Sequence, residues 1–323
     1  MSEDLRVTAD YDLRDIPGSE SWVWLREITE GDSSDRKFYI KNSDRERFFL
    51  RVADPTTYDH KKDEYELLAA INSFGAPIPN PAGFGICNHG KSLFLQTHWI
   101  YGNSGLKVLP GLTKHQQYTL GTDAGLCLKL VHSCEFPPHR SVWETRQKAR
   151  LEKVLHALHQ IRQLSANEHK LILLLEEGAG LLVSRPDALL HGDFHIGNVV
   201  LSFEYSFRLI DFDNWQYGDP MADLANVLTK IRAVSLPYAI GVIDCYFHFQ
   251  VTDEELTLMR FYAALDLAEQ LAAAHRGNDS ALAESKLQLQ AFMHDFQSGR
   301  GICPGWYKRM RISKKALQFQ SEE

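Results

Sequence analysis

His191-Gly192-Asp193-Phe194-His195-Ile196-Gly197-Asn198 and, further along, Leu209-Ile210-Asp211-Phe212-Asp213 decide how this sequence reads. The first stretch lies between two short apolar runs, Ala188–Leu190 and Val199–Leu201, so it reads as a loop joining two strands. The second closes an apolar strand at residues 207–210. An Asp alone in either place would read as a helix cap or turn residue. The combination is more specific: Asp193 and Asn198 sit five positions apart on one loop, and Asp211 ends the strand that follows. One loop can then aim Asp193 and Asn198 at different targets.

The pattern Asp-x-x-x-x-Asn with a later strand-borne Asp resembles the catalytic centre of protein kinases. Here the loop reads His-Gly-Asp rather than His-Arg-Asp, and Asp211 is followed by Phe-Asp rather than Phe-Gly. With these departures the chain resembles the aminoglycoside phosphotransferase and choline kinase-like family, whose members phosphorylate small molecules. Gly218-Asp219-Pro220 followed by Asp223-Leu224-Ala225 is a further hallmark of that family. The resemblance implies that Asp193 faces the acceptor hydroxyl, as proton acceptor or as positioner. It implies that Asn198 and Asp211 hold Mg²⁺, a hard cation that takes oxygen ligands and few protein carboxylates. The donor would be ATP, or GTP, and the acceptor a hydroxyl on a small molecule of the aminoglycoside type or a related amino or sugar alcohol. Phosphoryl transfer is mostly positioning and charge neutralisation, which suits so small a set of residues. Asp223 would tie the catalytic loop in place, and Asp213 would make supporting hydrogen bonds or approach a second metal.

Three other readings compete. His191, Asp193 and His195 alternate as zinc ligands do in a metallohydrolase. No His-Glu-x-x-His or clustered Cys/His pattern accompanies them, and Asn198 and Asp211 would go unexplained. A nucleotide-binding pseudoenzyme or regulatory module would have no need of Asp193, Asn198 and Asp211 together. A protein-substrate kinase would need a long activation loop, yet the chain runs from Asp211 almost directly to Gly218 without an Ala-Pro-Glu motif.

The fold expected is α+β, bilobal and protein-kinase-like. A small N-terminal antiparallel sheet lobe with one helix would span residues 1–97, and a larger, mainly helical catalytic and substrate lobe residues 98–323. Trp22–Ile28, 37–41 and 47–52 read as three strands separated by polar turns. In the kinase frame, Gly31, Ser33 and Ser34 of the first turn would lie over the phosphates. Arg51 would occupy the place of the phosphate-pairing lysine, and its partner would come from the next helix, residues 59–74. Glu64 holds the family position there, with Glu66 as the second choice. Further strands at 84–86 and 92–96 would lead to Thr97, His98, Trp99 and Ile100, a hinge whose backbone reads adenine.

Helices follow from an N-cap at Thr113 to His132, then at 143–162 and 167–183, after Asp219-Pro220, and across 230–298. Tyr262, Asp266 and Glu269 share one helix face by their spacing and could receive an amine-bearing substrate, although acids at such spacing also make an ordinary solvated face. The net charge of -7 argues against general nucleic-acid binding, which wants a basic face. Five scattered cysteines, Cys87, Cys127, Cys134, Cys245 and Cys303, form no Cys-x-x-Cys pair and point to a reducing compartment. The polar, acidic N-terminus is unlike a signal peptide, and the most apolar stretch is interrupted by Glu176 and Glu177. The expectation is a cytoplasmic enzyme without a membrane or nucleic-acid partner.

Overall fold

The computed structural model describes residues 5–8, 10–29, 34–135, 142–204, 206–277, 279–297 and 300–309. The chain divides into two compact units, one of Met1–Asn103 with Val200–Asp213 and one of Ser104–Val199 with Asn214–Glu323. No helix among the described residues is long and apolar enough to cross a membrane.

The first unit is built on a five-stranded antiparallel sheet in the order β1-β2-β3-β5-β4. Its strands are β1 (Trp22–Ile28), β2 (Arg36–Asn42), β3 (Arg47–Ala53), β4 (Pro81–Cys87) and β5 (Ser92–His98). Alternation sorts the side chains between the two faces. Phe38 and Ile40 of β2 with Phe48, Leu50 and Val52 of β3 bury one face in a core completed by Leu13, Ile16 and Trp22. Lys37, Phe49 and Arg51, at the intervening positions, line a pocket. Helix α1 (Tyr58–Ser73) joins β3 to β4, burying Leu67, Leu68 and Ile71 and setting Tyr58 and Tyr65 against Phe84 of β4.

Strand β4 is longer than its apolar pattern suggests, because Gly83 and Gly85 interrupt the alternation while the backbone ladder continues. Pro81 is tolerated as the first residue of this edge strand, where no ladder donor is needed. After the short β6 (Asn103–Ser104) the chain leaves this unit. It returns through β8 (Val199–Leu201) and β9 (Phe207–Leu209), which with β6 form a three-stranded sheet, and Leu209 donates its amide to the Pro77 carbonyl.

The second unit is mainly helical. Its longer helices are α3 (Lys114–His132), α4 (Trp143–His159), α5 (Ala166–Glu177), α8 (Leu236–Tyr246), α9 (Asp253–Ala274) and α10 (Asp279–Asp295). The shorter ones are α2 (Gly105–Val108), α6 (Pro220–Ala225) and α7 (Lys230–Val234). Capping boxes at Thr113 with Gln116, Ser165 with Glu168 and Thr252 with Glu255 start α3, α5 and α9. The expected 167–183 helix stops at Glu177, where Gly178 introduces a separate turn at Ala179–Leu182. Helix α3 meets α8 backbone to backbone: a Cβ on Gly121 would lie 2.2 Å from the Tyr238 carbonyl oxygen. Helix α9 buries residues on every side, as expected of a helix surrounded by others. A two-stranded antiparallel sheet pairs β7 (Ala188–Leu190), which leads into the loop from His191 to Asn198, with β10 (Gln216–Gly218). An antiparallel sheet unit with one main helix and a mainly helical unit make up the expected α+β, protein-kinase-like fold.

Candidate active site

The pocket of the first unit has a volume of about 380 Å³, within the range of small-ligand sites. Ile28, Phe49, Leu68, Leu95, Ile210 and Phe212 give it apolar walls, and Lys37, Arg51, Glu64, Asp211 and Asp213 gather its charges. Thr97, His98, Trp99 and Ile100 form another side. His98 donates its amide to Asn80 and Trp99 donates its amide to Arg47, both at 2.9 Å. The Ile100 amide has no hydrogen-bond partner among the described residues, which leaves a donor for a planar ligand edge. Asp211 adopts a left-handed backbone conformation, φ 70°. Asp tolerates that region better than most residues, yet it remains a strained one of the kind that gathers at functional sites.

Three of these lining charges, Arg51, Glu64 and Asp213, belong to a nearly buried ionic cluster. Arg51, with a side chain 7% exposed, contacts Glu64, 2% exposed, and Asp213. Lys61 bonds Asp35 at 2.6 Å and Asp213 at 2.7 Å, and stands 3.7 Å from Glu64. Burial works against the charge on Arg51, but Glu64 and Asp213 outweigh it and hold the guanidinium protonated. Burial likewise works against an ionised Asp213, and the charges of Arg51 and Lys61 carry its carboxyl well below the usual range. Glu66 lies outside this cluster, 3.7 Å from Lys62 on the exposed face of α1. Lys61 and Asp35 went unnoticed in the sequence, where only the i, i+3 spacing of Lys61 and Glu64 hinted at a pair.

The loop from His191 to Asn198 belongs to the second unit. Asp223 at the start of α6 accepts hydrogen bonds from the amides of His191, at 2.7 Å, and Gly192, at 2.9 Å. His132 of α3 lies 3.1 Å from the same carboxylate. Gly192 has φ 83°, and a Cβ there would fall 1.9 Å from the Asn214 carbonyl oxygen, so the turn accepts only glycine. Held in this way, the loop presents Asp193. His195 accepts the Gly197 amide at Nδ1, which places its proton on Nε2, 3.2 Å from Asp193 Oδ2. Asn198 donates from Nδ2 to the Asp193 carbonyl, at 3.0 Å, and to its carboxylate, at 3.2 Å, so the Asn198 side-chain oxygen is turned elsewhere. Lys230 stands 3.4 Å from the other Asp193 oxygen. Burial alone would raise the Asp193 carboxyl. The hydrogen bond from His195, with the charge of Lys230 close by, reverses that and holds it well below the ordinary carboxylate range.

This geometry removes the zinc reading. Both His195 ring nitrogens are engaged, and no three His, Cys, Asp or Glu side chains among the described residues converge as a metal-holding group. Of the expected phosphate turn, Gly31 and Ser33 lie outside the described residues, and Ser34 is exposed at a bend. The expected acceptor face on α9 is not brought together as one site. Tyr262 is 1% exposed, turned inward because its hydroxyl donates to Asp219 at 3.1 Å. Asp266 and Glu269 share Arg150, at 2.7 and 2.6 Å, so their charge is already met from within the chain.

A model of the phosphotransferase enzyme family matches residues 24–262. No curated protein matches the chain in sequence. Among solved structures, it is similar to aminoglycoside phosphotransferase APH(4)-Ia, at 18% identity and TM-score 0.63, covering 87% of this chain and 95% of that one. ADP-bound aminoglycoside phosphotransferase APH(2'')-Ib is similar at 19% identity and TM-score 0.58, covering 83% and 92%. Spectinomycin phosphotransferase APH(9)-Ia, solved with ADP and spectinomycin, is similar at 16% identity and TM-score 0.57, covering 88% of each chain.

Proposed function

This chain belongs to the phosphotransferase enzyme family, and from that premise we propose that it transfers the γ-phosphoryl group of ATP, with Mg²⁺, to a hydroxyl of a small molecule. The observation that carries the reading is Asp193: a carboxylate kept ionised by His195 and Lys230, on a loop clamped by Asp223. The acceptor is a hydroxyl-bearing molecule of the aminoglycoside kind or a related amino or sugar alcohol, the class acted on by the solved phosphotransferases of the same fold.

Asp193 orients the acceptor hydroxyl by accepting its hydrogen bond. Its depressed pKa makes it a weak base, so it positions the nucleophile and takes the proton only as the new bond to phosphorus forms. ATP occupies the pocket of the first unit, with its adenine edge on the Ile100 amide and its phosphates toward Arg51. Glu64 and Asp213 fix the Arg51 guanidinium, so its charge is in place before the nucleotide arrives.

The donor set fits Mg²⁺: Asn198 supplies an amide oxygen and Asp211 a carboxylate, both hard ligands, and phosphate oxygens and water complete such a shell. When bound, Mg²⁺ neutralises charge on the phosphates. Asn198 and Asp211 are the residues proposed to hold it, and Asp193 the catalytic residue.

A coupled ADP-release assay over a panel of hydroxyl-bearing small molecules tests the proposal, with Asp193→Asn as control. The expected result is acceptor-stimulated release from the wild type alone, with Mg-ATP bound equally by both proteins. Wild-type turnover by Asp193→Asn would remove Asp193 from its role. Absence of nucleotide binding by the wild type would overturn the kinase reading.

A further inference from the structure

We propose that Lys61 of α1 is a positioning residue for the metal: through Asp213 it fixes the stretch of backbone that aims the Asp211 carboxylate. The proposal rests on the reading that Asp211 holds Mg²⁺. Lysine is seldom buried unless its charge is paired. The Lys61 side chain is 6% exposed, and its ammonium bonds Asp213 at 2.7 Å and Asp35 at 2.6 Å. Its neighbour in α1 takes hold of the same residue. His60 Nε2 lies 3.0 Å from the Asp213 carbonyl oxygen, which can only accept, so His60 donates there. Two consecutive residues of one helix therefore grip Asp213 by its carboxylate and by its backbone.

Asp211 lies two residues before that grip, at φ 70°. A strained residue keeps its conformation only where its surroundings over-determine it. Phe212, between the two, is buried. With Phe212 packed inside and Asp213 held at both ends, the chain at Asp211 has little room to relax. Arg51 contacts Asp213 as well, but it lines the pocket and faces the nucleotide. Lys61 does not line the pocket, so its influence on a metal passes through Asp213. Its bond to Asp35, one residue before β2, ties the start of that strand to the same point. Partners that orient a metal ligand from behind matter to affinity almost as much as the ligand does.

The test compares Lys61→Met with the wild type, using calorimetric titration with ATP over a range of Mg²⁺ concentrations and with adenosine. Methionine keeps the apolar packing of the lysine stem. The Mg²⁺ concentration that half-saturates the gain in ATP affinity is expected to rise about tenfold, while adenosine affinity stays unchanged. Asp213→Asn, which keeps the shape of the side chain, should raise it too, and still does so as a test if Lys61→Met fails to fold. The two changes combined should raise it by less than the product of their separate effects, since both act on one contact. A wild-type Mg²⁺ requirement in either variant would overturn the proposal, as would fully independent effects. So would an equal loss of adenosine and ATP binding, since that pattern marks a structural role alone. A wild type whose ATP affinity ignores Mg²⁺ would overturn the metal reading itself and this proposal with it.

Discussion

Replacing Arg51 with methionine is expected to destabilise the first unit by about 3–5 kcal/mol, the cost of stranding a buried charge. In the wild type, Arg51 and Lys61 face three carboxylates, Glu64, Asp35 and Asp213. Without Arg51, Glu64 keeps only Lys61, at 3.7 Å, among the described residues. Glu64→Leu in the same background removes the stranded charge, so Arg51→Met with Glu64→Leu should cost less than the two single changes added together, with a coupling above about 1 kcal/mol.

Cys87 provides the assay. It is fully buried in the first unit, and burial, aided by the charge of Asp15, pushes its thiol up to about 12. It therefore reacts with an alkylating reagent only when the unit opens. Where reclosing outruns alkylation, the rate follows the opening equilibrium, so 3–5 kcal/mol should appear as roughly 10²- to 10⁴-fold faster labelling. The effect carries a pH sign. Burial raises the Glu64 carboxyl and Arg51 opposes it, so removing Arg51 raises it further. A carboxyl whose folded pKa lies above its unfolded value of about 4.3 favours folding as pH falls, so the Arg51→Met penalty should shrink from pH 8 toward acid. Strict additivity of the two substitutions, or labelling of Arg51→Met within a few-fold of wild type, would refute the reasoning.

Gly192→Ala should lower stability by more than about 2 kcal/mol, because alanine is strained at φ 83° and its Cβ would overlap the Asn214 carbonyl; a melting temperature within a degree or two of wild type would contradict this. Asp193, held below the ordinary carboxylate range, stays ionised at every pH above about 5, so the pH profile of kcat/KM should show no Asp193 limb between pH 5 and 9. Its contribution to stability is full above the unfolded pKa of about 3.9 and is lost as pH falls below it, whereas His195→Ala should bring an acid limb upward into the measurable range.

The strands and the cluster of polar residues around them are what the sequence shows most directly. Period-two alternation marks β1 to β3 because one face buries Phe38, Ile40, Phe48 and Leu50 while the other carries charge. Alternation fails to mark the full β4, since glycine has no side chain to signal a face. Thr113 and the Asp219-Pro220 pair mark helix starts because capping is a local interaction within one turn. The end of α5 is less legible, because the change at Gly178 from α-helix to the tighter turn Ala179–Leu182 alters little in the apolar pattern.

Lys61, Asp35 and His132 escaped notice for one reason: their partners lie far along the chain. Lys61 meets Asp213, and His132 meets Asp223, only because separate strands and helices converge. The α9 acids show the converse. Helical spacing correctly aligns Asp266 with Glu269, but spacing carries no word of Arg150, which arrives from α4. The sequence by itself determined which residue types lie at which local spacing: the Asp193–Asn198 loop, the Asp211 strand end, and the strands and helices that carry them. Only the tertiary structure decided which charges are buried, which carboxylate each cation meets and which way each side chain turns, because burial and pairing depend on distances between segments that local sequence does not encode.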